Sequence, residues 1–440
     1  MRLVPNCLRL QTTDIEWKAD GLPFDFVRAM MVPDTKNRHF RQRNNLSSYA
    51  SVLMGGGDAM SITRRTLLTA ATTTAAGAAL STSAQADPQS GLAREKPKSS
   101  KPDRRIATEE AFTTPALADA YKVLARSEGS INLDVAFMKS IFDEPTPGSM
   151  RDEFRRRLLD LDQERLAIMD ESGVDMHLLS LTIPGVQMFD ADTAIDFSIA
   201  ANDALAAAIH RHPKRYAGLA CFAPQSPKRT AKEMDRAIST LKLNGFIINS
   251  HTNNEYLDEA KFYPIFEAAE ALGRPIYLHP RSPSDGMAEP FRNYQMAGSI
   301  WGYAAETGTH AVRLIFSGLF DRFPKLKIVL GHMGEALPYW LWRLDFMHAR
   351  RTKEGLTKKL QLTPSEYFRR NFSITTSGVE SHDVLEYVIK VLGVDNVMWA
   401  IDYPYQPTAP AVSFMDSAPL SRAVLNKVYF QNAERIFHIV

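Results

Sequence analysis

The sequence predicts an α/β protein, a (β/α)8 TIM barrel with insertions in the βα loops. Three observations carry that expectation. Eight short β-branched or apolar runs recur from Arg105 to the C-terminal region, each ends in polar residues, and longer segments of helical period separate them. The runs are RIATEE (105–110), DMHLLSLT (175–182), YAGLACFA (216–223), GFIINS (245–250), PIYLHP (275–280), KIVLGHMG (327–334), NFSITTSG (371–378) and VMWAIDYP (397–404). Parallel strands buried on both faces read as such continuous apolar runs.

The intervening segments justify the crossovers. In FRRRLLDLDQERLAIMDESG (154–173), Leu158, Leu159, Leu161, Leu166 and Met169 lie near a 3.6-residue period, and Gly173 supplies the stop. TAIDFSIAANDALAAAIHRH and RTAKEMDRAISTLKLNG follow the same pattern. A doubly wound open sheet is the alternative, but no G-x-G-x-x-G follows any of the strands, which counts against its dinucleotide-binding form.

Composition describes an ordinary globular protein rather than a disordered or fibrous one. The 440 residues are 45% hydrophobic and 23% charged, with 52 Lys plus Arg against 50 Asp plus Glu, so there is no basic excess of the kind a nucleic-acid surface needs. Two cysteines, Cys7 and Cys221, exclude a disulfide framework and a cysteine-cluster zinc site. No uninterrupted apolar run reaches the length of a bilayer-spanning helix, so no permanent membrane anchor is expected.

The N-terminal quarter reads differently. Residues 60–86 hold Arg64-Arg65, an Ala/Leu/Thr run and Ala84-Gln85-Ala86, the order of a twin-arginine signal peptide with its cleavage site, which predicts a periplasmic or secreted protein. Met60 stands where such a signal would start, so residues 1–59 read as an upstream extension without motif or period. Residues 87–103, rich in Pro, Ser and Lys, read as a tether, leaving 104–440 as the catalytic domain. Residues 1–86 carry 10 basic and 6 acidic residues, and the remainder has 42 against 44, a formal charge of −2.

Active sites of such barrels lie at the C-terminal ends of the strands. The runs end in Glu109-Glu110, Asn249, His279, His332 and Asp402, whereas Thr182, Pro224 and Ser377 at the other three offer little for metal or acid–base work. Two carboxylates and imidazole make a mixed oxygen and nitrogen donor set for a divalent cation. His332 has Glu335 three residues on, within reach of one ring nitrogen. Arg343, set in YWLWRLDF, reads as a guanidinium among aromatic residues in need of an anion, a substrate carboxylate or Asp345, with a salt bridge at a subunit interface as the structural alternative. His310 with Glu306 and Arg313 reads as a polar, solvated or interface stripe rather than a ligand set; it and His177, His210 and His212 read as structural, and His251 as a second-rank site residue.

The motifs EEAF (109–112), SLTIPGVQ (180–187), IINSHTN (247–253), YLHP (277–280), GHMGE (331–335), ITTSG (374–378) and AIDYP (400–404) resemble the amidohydrolase-related decarboxylases, nearest the dihydroxybenzoate and γ-resorcylate decarboxylases. The resemblance implies metal ligands at Glu109, His279 and Asp402, a catalytic group of Asp402, His332 and Glu335, and substrate contacts from Asn249 and Arg343. It also implies nonoxidative decarboxylation of a hydroxylated aromatic acid by a homo-oligomer, a dimer or tetramer. Many members carry E-x-H at the first strand, and here the second position is Ala111. With one imidazole fewer, the donor set favours Mg²⁺ or Mn²⁺, with Zn²⁺ still usable. The alternative on the same ligands is a metal-dependent hydrolase of a lactone, ester or carbon–carbon bond.

Overall fold

The computed structural model describes residues 102–126 and 132–440. The expected extension (1–59), the signal peptide (60–86) and all but the end of the tether (87–103) lie outside the described residues. Asp103, the last residue of that tether, accepts a hydrogen bond from Asn426 Nδ2 at 2.6 Å and pairs with Arg422.

Eight strands follow the expected runs: β1 Ile106–Phe112, β2 Met176–Leu181, β3 Tyr216–Cys221, β4 Gly245–Asn249, β5 Ile276–His279, β6 Ile328–Leu330, β7 Phe372–Thr375 and β8 Val397–Met398. They form one sheet in the order β1 to β8, each parallel to the next, with helices in the crossovers, which is a nearly closed (β/α)8 barrel. The strands are buried along their length, with Phe246, Tyr277, Leu278, Val329, Ile374 and Met398 in the core. No helix of the described residues is long and apolar enough to cross a membrane.

The seam between β8 and β1 is sealed by individual hydrogen bonds. Ala111 N donates to Tyr403 O at 2.7 Å, Thr108 Oγ1 donates to Trp399 O at 2.7 Å, and the Glu110 carboxylate accepts from Ile401 N at 3.0 Å and Tyr403 N at 2.9 Å. β1 also carries a bulge: Ala107 pairs with His177 and Glu110 with Leu179, so the register slips by one residue between them.

The largest insertion lies between β1 and β2 and contains the helices Pro115–Ala125, Leu133–Phe142, Met150–Leu159 and Glu164–Ser172. The single helical segment expected over 154–173 is two helices. Asp160 breaks it, because its carboxylate accepts from the backbone N–H groups of Gln163 (3.0 Å) and Arg165 (2.8 Å) and offers the chain an alternative to helical bonding. Gly173 ends the second helix with φ 67°, as expected. The insertion is fastened to the barrel top by the buried Arg281–Asp134 ion pair and by Phe154 packed edge-on to Tyr405, ring centroids 5.3 Å apart.

Two strands stop well short of the site residues in their runs. β6 stops at Leu330 and β8 at Met398, so His332 and Asp402 sit on loops beyond the ladder rather than at the last paired residue. Their placement therefore depends on side-chain hydrogen bonds and backbone conformation.

Candidate metal and catalytic centre

Glu109 enters the site from β1 and is buried. Its Oε2 accepts from Thr375 Oγ1 at 2.9 Å and from Ser377 Oγ, both at the end of β7. Its Oε1 is buried and has no hydrogen-bond partner among the described residues, although His279 Nε2 lies 3.5 Å away and His332 Nδ1 3.9 Å away. Gly331 makes room for this carboxylate, since a Cβ there would come within 2.6 Å of Oε1.

His279 ends β5, and its Nδ1 lies 2.8 Å from Pro280 O. A carbonyl only accepts, so Nδ1 bears a proton and Nε2, which faces Glu109, is the nitrogen left to ligate a metal. Asp402 completes the group from the loop after β8. One ligand atom from each of Glu109, His279 and Asp402 lies within 4.8 Å of the others, a group that could hold a metal ion. The orphaned Oε1 and the two-carboxylate, one-imidazole donor set fit a divalent cation.

His332 and Glu335 meet as expected, by an unexpected route. Residues 332–336 form a turn with positive φ throughout, 50° at His332, 56° at Met333, 83° at Gly334, 53° at Glu335 and 62° at Ala336, rather than the start of a right-handed helix. That turn brings His332 Nδ1 to 3.1 Å from Glu335 Oε1 and leaves Nε2 3.7 Å from Asp402 Oδ2. Consecutive left-handed residues are costly, and such strain collects at functional sites.

The charges tune one another. Burial works against a charged His332, but Glu109, Glu335 and Asp402 around it raise its pKa well above the ordinary imidazole value. Burial likewise opposes ionisation of Glu109, yet His332, His279 and the Ser377 hydroxyl hold its carboxyl below the usual range. Asp402 goes the other way: burial, reinforced by the Glu109 charge, raises it. Without a metal ion the two carboxyls are thus pushed apart, and a proton in the site favours Asp402 over Glu109.

Asn249 ends β4 in register with His279. Its backbone is held by Gln187, which accepts from Asn249 N at 3.0 Å and donates to Asn249 O at 2.7 Å, while its side-chain Oδ1 is buried without a partner. Arg343 departs from expectation. It is exposed on the Leu337–Lys353 helix, and Asp345 is engaged by Ser365 N at 2.8 Å and Ser365 Oγ at 2.6 Å. Its aromatic sequence neighbours are exposed too, Tyr339 at 77% and Trp342 at 72%, so the guanidinium pays no burial penalty within one chain.

His310 also departs: it is fully buried, accepts from Leu257 N at 3.0 Å, and lies 3.1 Å from Ser250 Oγ, inside a network with Glu306. His251 lies 3.2 Å from Ser282 O, and none of its described hydrogen bonds is with the three-ligand group. Ser377, dismissed from sequence, holds Glu109 and accepts from His332 N at 3.1 Å. A cavity of about 470 Å³ adjoins His332 and Glu335, walled by Trp301, Tyr303, Val379 and Val384.

Residues 148–439 match the family described as Amidohydrolase. The chain belongs to that family. Among relatives of this amidohydrolase, γ-resorcylate decarboxylase of Polaromonas sp. is 35% identical over 296 residues, covering 65% of this chain and 90% of that protein. The solved 5-carboxyvanillate decarboxylase of Sphingomonas paucimobilis is 55% identical, with a TM-score of 0.74, over 77% of this chain and 99% of that one. The 5-carboxyvanillate decarboxylase of Novosphingobium aromaticivorans, complexed with manganese and 4-hydroxy-3-methoxy-5-nitrobenzoic acid, is 40% identical with a TM-score of 0.73 over 76% of this chain and 96% of that one. The family match begins after β1, so Glu109 enters the ligand group on geometry alone.

Proposed function

We propose that this amidohydrolase catalyses the nonoxidative decarboxylation of a hydroxylated aromatic acid, with release of CO2. The observation that carries the reading is the group of Glu109, His279 and Asp402 with the His332–Glu335 pair against it. Decarboxylase relatives at up to 55% identity, one of them solved with manganese and a hydroxylated benzoic acid, support it. Carboxylated phenols with the hydroxyl beside the carboxylate, such as 5-carboxyvanillate and γ-resorcylate, are the first acids to test.

Glu109, His279 and Asp402 would hold a divalent ion, Mn²⁺ or Mg²⁺ in preference to Zn²⁺; when bound it supplies positive charge to orient the substrate carboxylate and its neighbouring oxygen. Asp402 would take up a proton once the negative charge of the substrate has offset that of the ion, and deliver it to the ring carbon that bears the carboxylate. The carbon–carbon bond then breaks, its electron pair returns to the ring, and CO2 leaves. His332 would donate a hydrogen bond to the ring oxygen, and Glu335, 3.1 Å from its Nδ1, fixes the imidazole. Asn249 contributes a buried amide for a substrate polar group.

Arg343 reaches a substrate carboxylate in this reading only from a second copy. The exposed aromatic residues beside it, Tyr339, Trp340 and Trp342, form the face on which a homo-oligomer, a dimer or tetramer, would assemble. Light scattering should give a multiple of the chain mass, and a monomer at working concentration defeats that part. The Arg64-Arg65 pair, apolar run and Ala84-Gln85-Ala86 order of residues 60–86 support export by the twin-arginine route; retention in the cytoplasmic fraction would refute it.

The deciding assay loads the protein separately with Mn²⁺, Mg²⁺ and Zn²⁺ and follows headspace CO2 over a panel of hydroxybenzoic acids. Metal-dependent CO2 abolished by a chelator is expected. Hydrolysis of lactones or esters with no CO2 from any acid would overturn the reading.

A further inference from the structure

We infer that Glu110 is a positioning residue for the reaction, setting the Asp402 carboxylate by gripping the two peptide N–H groups that flank it. The inference rests on the role given to Asp402 above. Glu110 is fully buried, and a buried carboxylate must find donors. The two shortest come from the flanks of Asp402, one to each oxygen: Ile401 N donates to Oε1 at 3.0 Å and Tyr403 N to Oε2 at 2.9 Å, while Glu109 N adds a longer bond to Oε1 at 3.4 Å.

Three features make this grip specific to Asp402. The β8 ladder ended at Met398, so no strand pairing positions residues 401–403. Asp402 itself is a non-glycine residue with φ 75°, a conformation that persists only where its surroundings hold it. The neighbouring contacts complete the hold: Ala111 N donates to Tyr403 O at 2.7 Å, and Gln406 N donates to Asp402 O at 2.9 Å. Two of the residues doing this, Glu110 and Ala111, follow Glu109 directly, so the tip of β1 sets one metal ligand through its own backbone and another through the Glu110 fork.

Arg165 backs the arrangement from outside the barrel. It is fully buried, donates to Ala111 O at 2.6 Å, and lies 4.5 Å from the Tyr403 ring centroid. The β1 bulge lies next to both glutamates and re-aims the strand there.

The test compares Glu110→Gln with Thr108→Val. Gln keeps one carbonyl acceptor and turns its NH2 on the second peptide N–H, so one prong is lost. Thr108→Val removes the seam bond to Trp399 O without touching the flanks of Asp402. Each purified protein is measured for melting temperature, Mn²⁺ affinity, the Mn²⁺ electron paramagnetic resonance spectrum, and kcat and KM on the best acid. Both variants are expected to lose melting temperature. Only Glu110→Gln should alter the Mn²⁺ spectrum and lose about 100-fold in kcat, with KM little changed, the effect of a misplacement near 1 Å. Glu110→Asp, which keeps both oxygens on a shorter stem, should recover part of that loss, and it serves under the same criteria if the glutamine variant does not fold.

A Glu110→Gln protein with wild-type spectrum and kcat, destabilised like Thr108→Val, would reduce Glu110 to a seam stabiliser and overturn the inference. Should the wild type release no CO2 from any acid, the decarboxylase reading fails, while the spectrum and Mn²⁺ affinity still judge Glu110 on its own.

Discussion

Histidines occupy two regions of this barrel under opposite rules. At the mouth, His332 is buried among Glu109, Glu335 and Asp402, and its pKa is driven far up. In the wall, burial and neighbouring positive charge drive His310 and His251 down to about 3, and their ring nitrogens are spent on Leu257 N, Asn254 N and other local partners. Burial is common to both, so burial alone does not mark a site. The mark is what faces the ring: unpaired carboxylate oxygen and left-handed backbone at the mouth, a closed hydrogen-bond network in the wall.

The mouth should be fragile in chemistry and robust in folding. Asp402→Asn keeps the volume and one acceptor but removes the transferable proton, so kcat should fall by about 10³-fold or more while the melting temperature stays near wild type. Full turnover in that variant would break the contrast at its strongest point. Glu335→Gln should cost less, about 10–100-fold in turnover, because it weakens the hold on His332 without removing a reacting group.

Much of the mouth was legible in the sequence, and the reasons are physical. Strands buried on both faces leave long apolar runs, and a barrel places their last polar residues in one ring, so Glu109, Asn249, His279, His332 and Asp402 could be picked out as run ends. The rest depends on geometry that no run shows. Thr375 and Ser377 look like any strand-end hydroxyls until the barrel closes Glu109 onto them. Glu110 acquires its partners from a loop nearly 300 residues away. Arg343 misled because aromatic neighbours usually signal burial, whereas the Leu337–Lys353 helix turns them outward. His310 misled in the opposite sense: a stripe of helical period looks the same whether it faces water or a buried network.

The wall should behave conversely. His310→Ala strands the buried Leu257 N–H and leaves a cavity, so stability should drop by about 2–4 kcal/mol with kcat close to wild type. A loss of turnover out of proportion to that destabilisation would mean the two regions are coupled.

The smallest effect sharpens the comparison most, because the two regions should tilt stability in opposite directions with pH. His310 and His251 have folded-state pKa values near 3 against about 6.5 when unfolded, so the unfolded chain binds protons first as pH falls. Their contribution is complete above about pH 6.5 and declines toward pH 3, by at most about 1.4 kcal/mol per pH unit for each ring. His332 has the reverse sign. Its folded-state pKa lies above the unfolded value, so its contribution is complete below about pH 6.5 and is lost as pH rises toward the folded-state value. In metal-free protein, His310→Ala should therefore flatten the acid limb of a denaturation profile, and His332→Asn the alkaline limb. If both variants flattened the same limb, mouth and wall would share one electrostatic environment and the distinction between them would collapse.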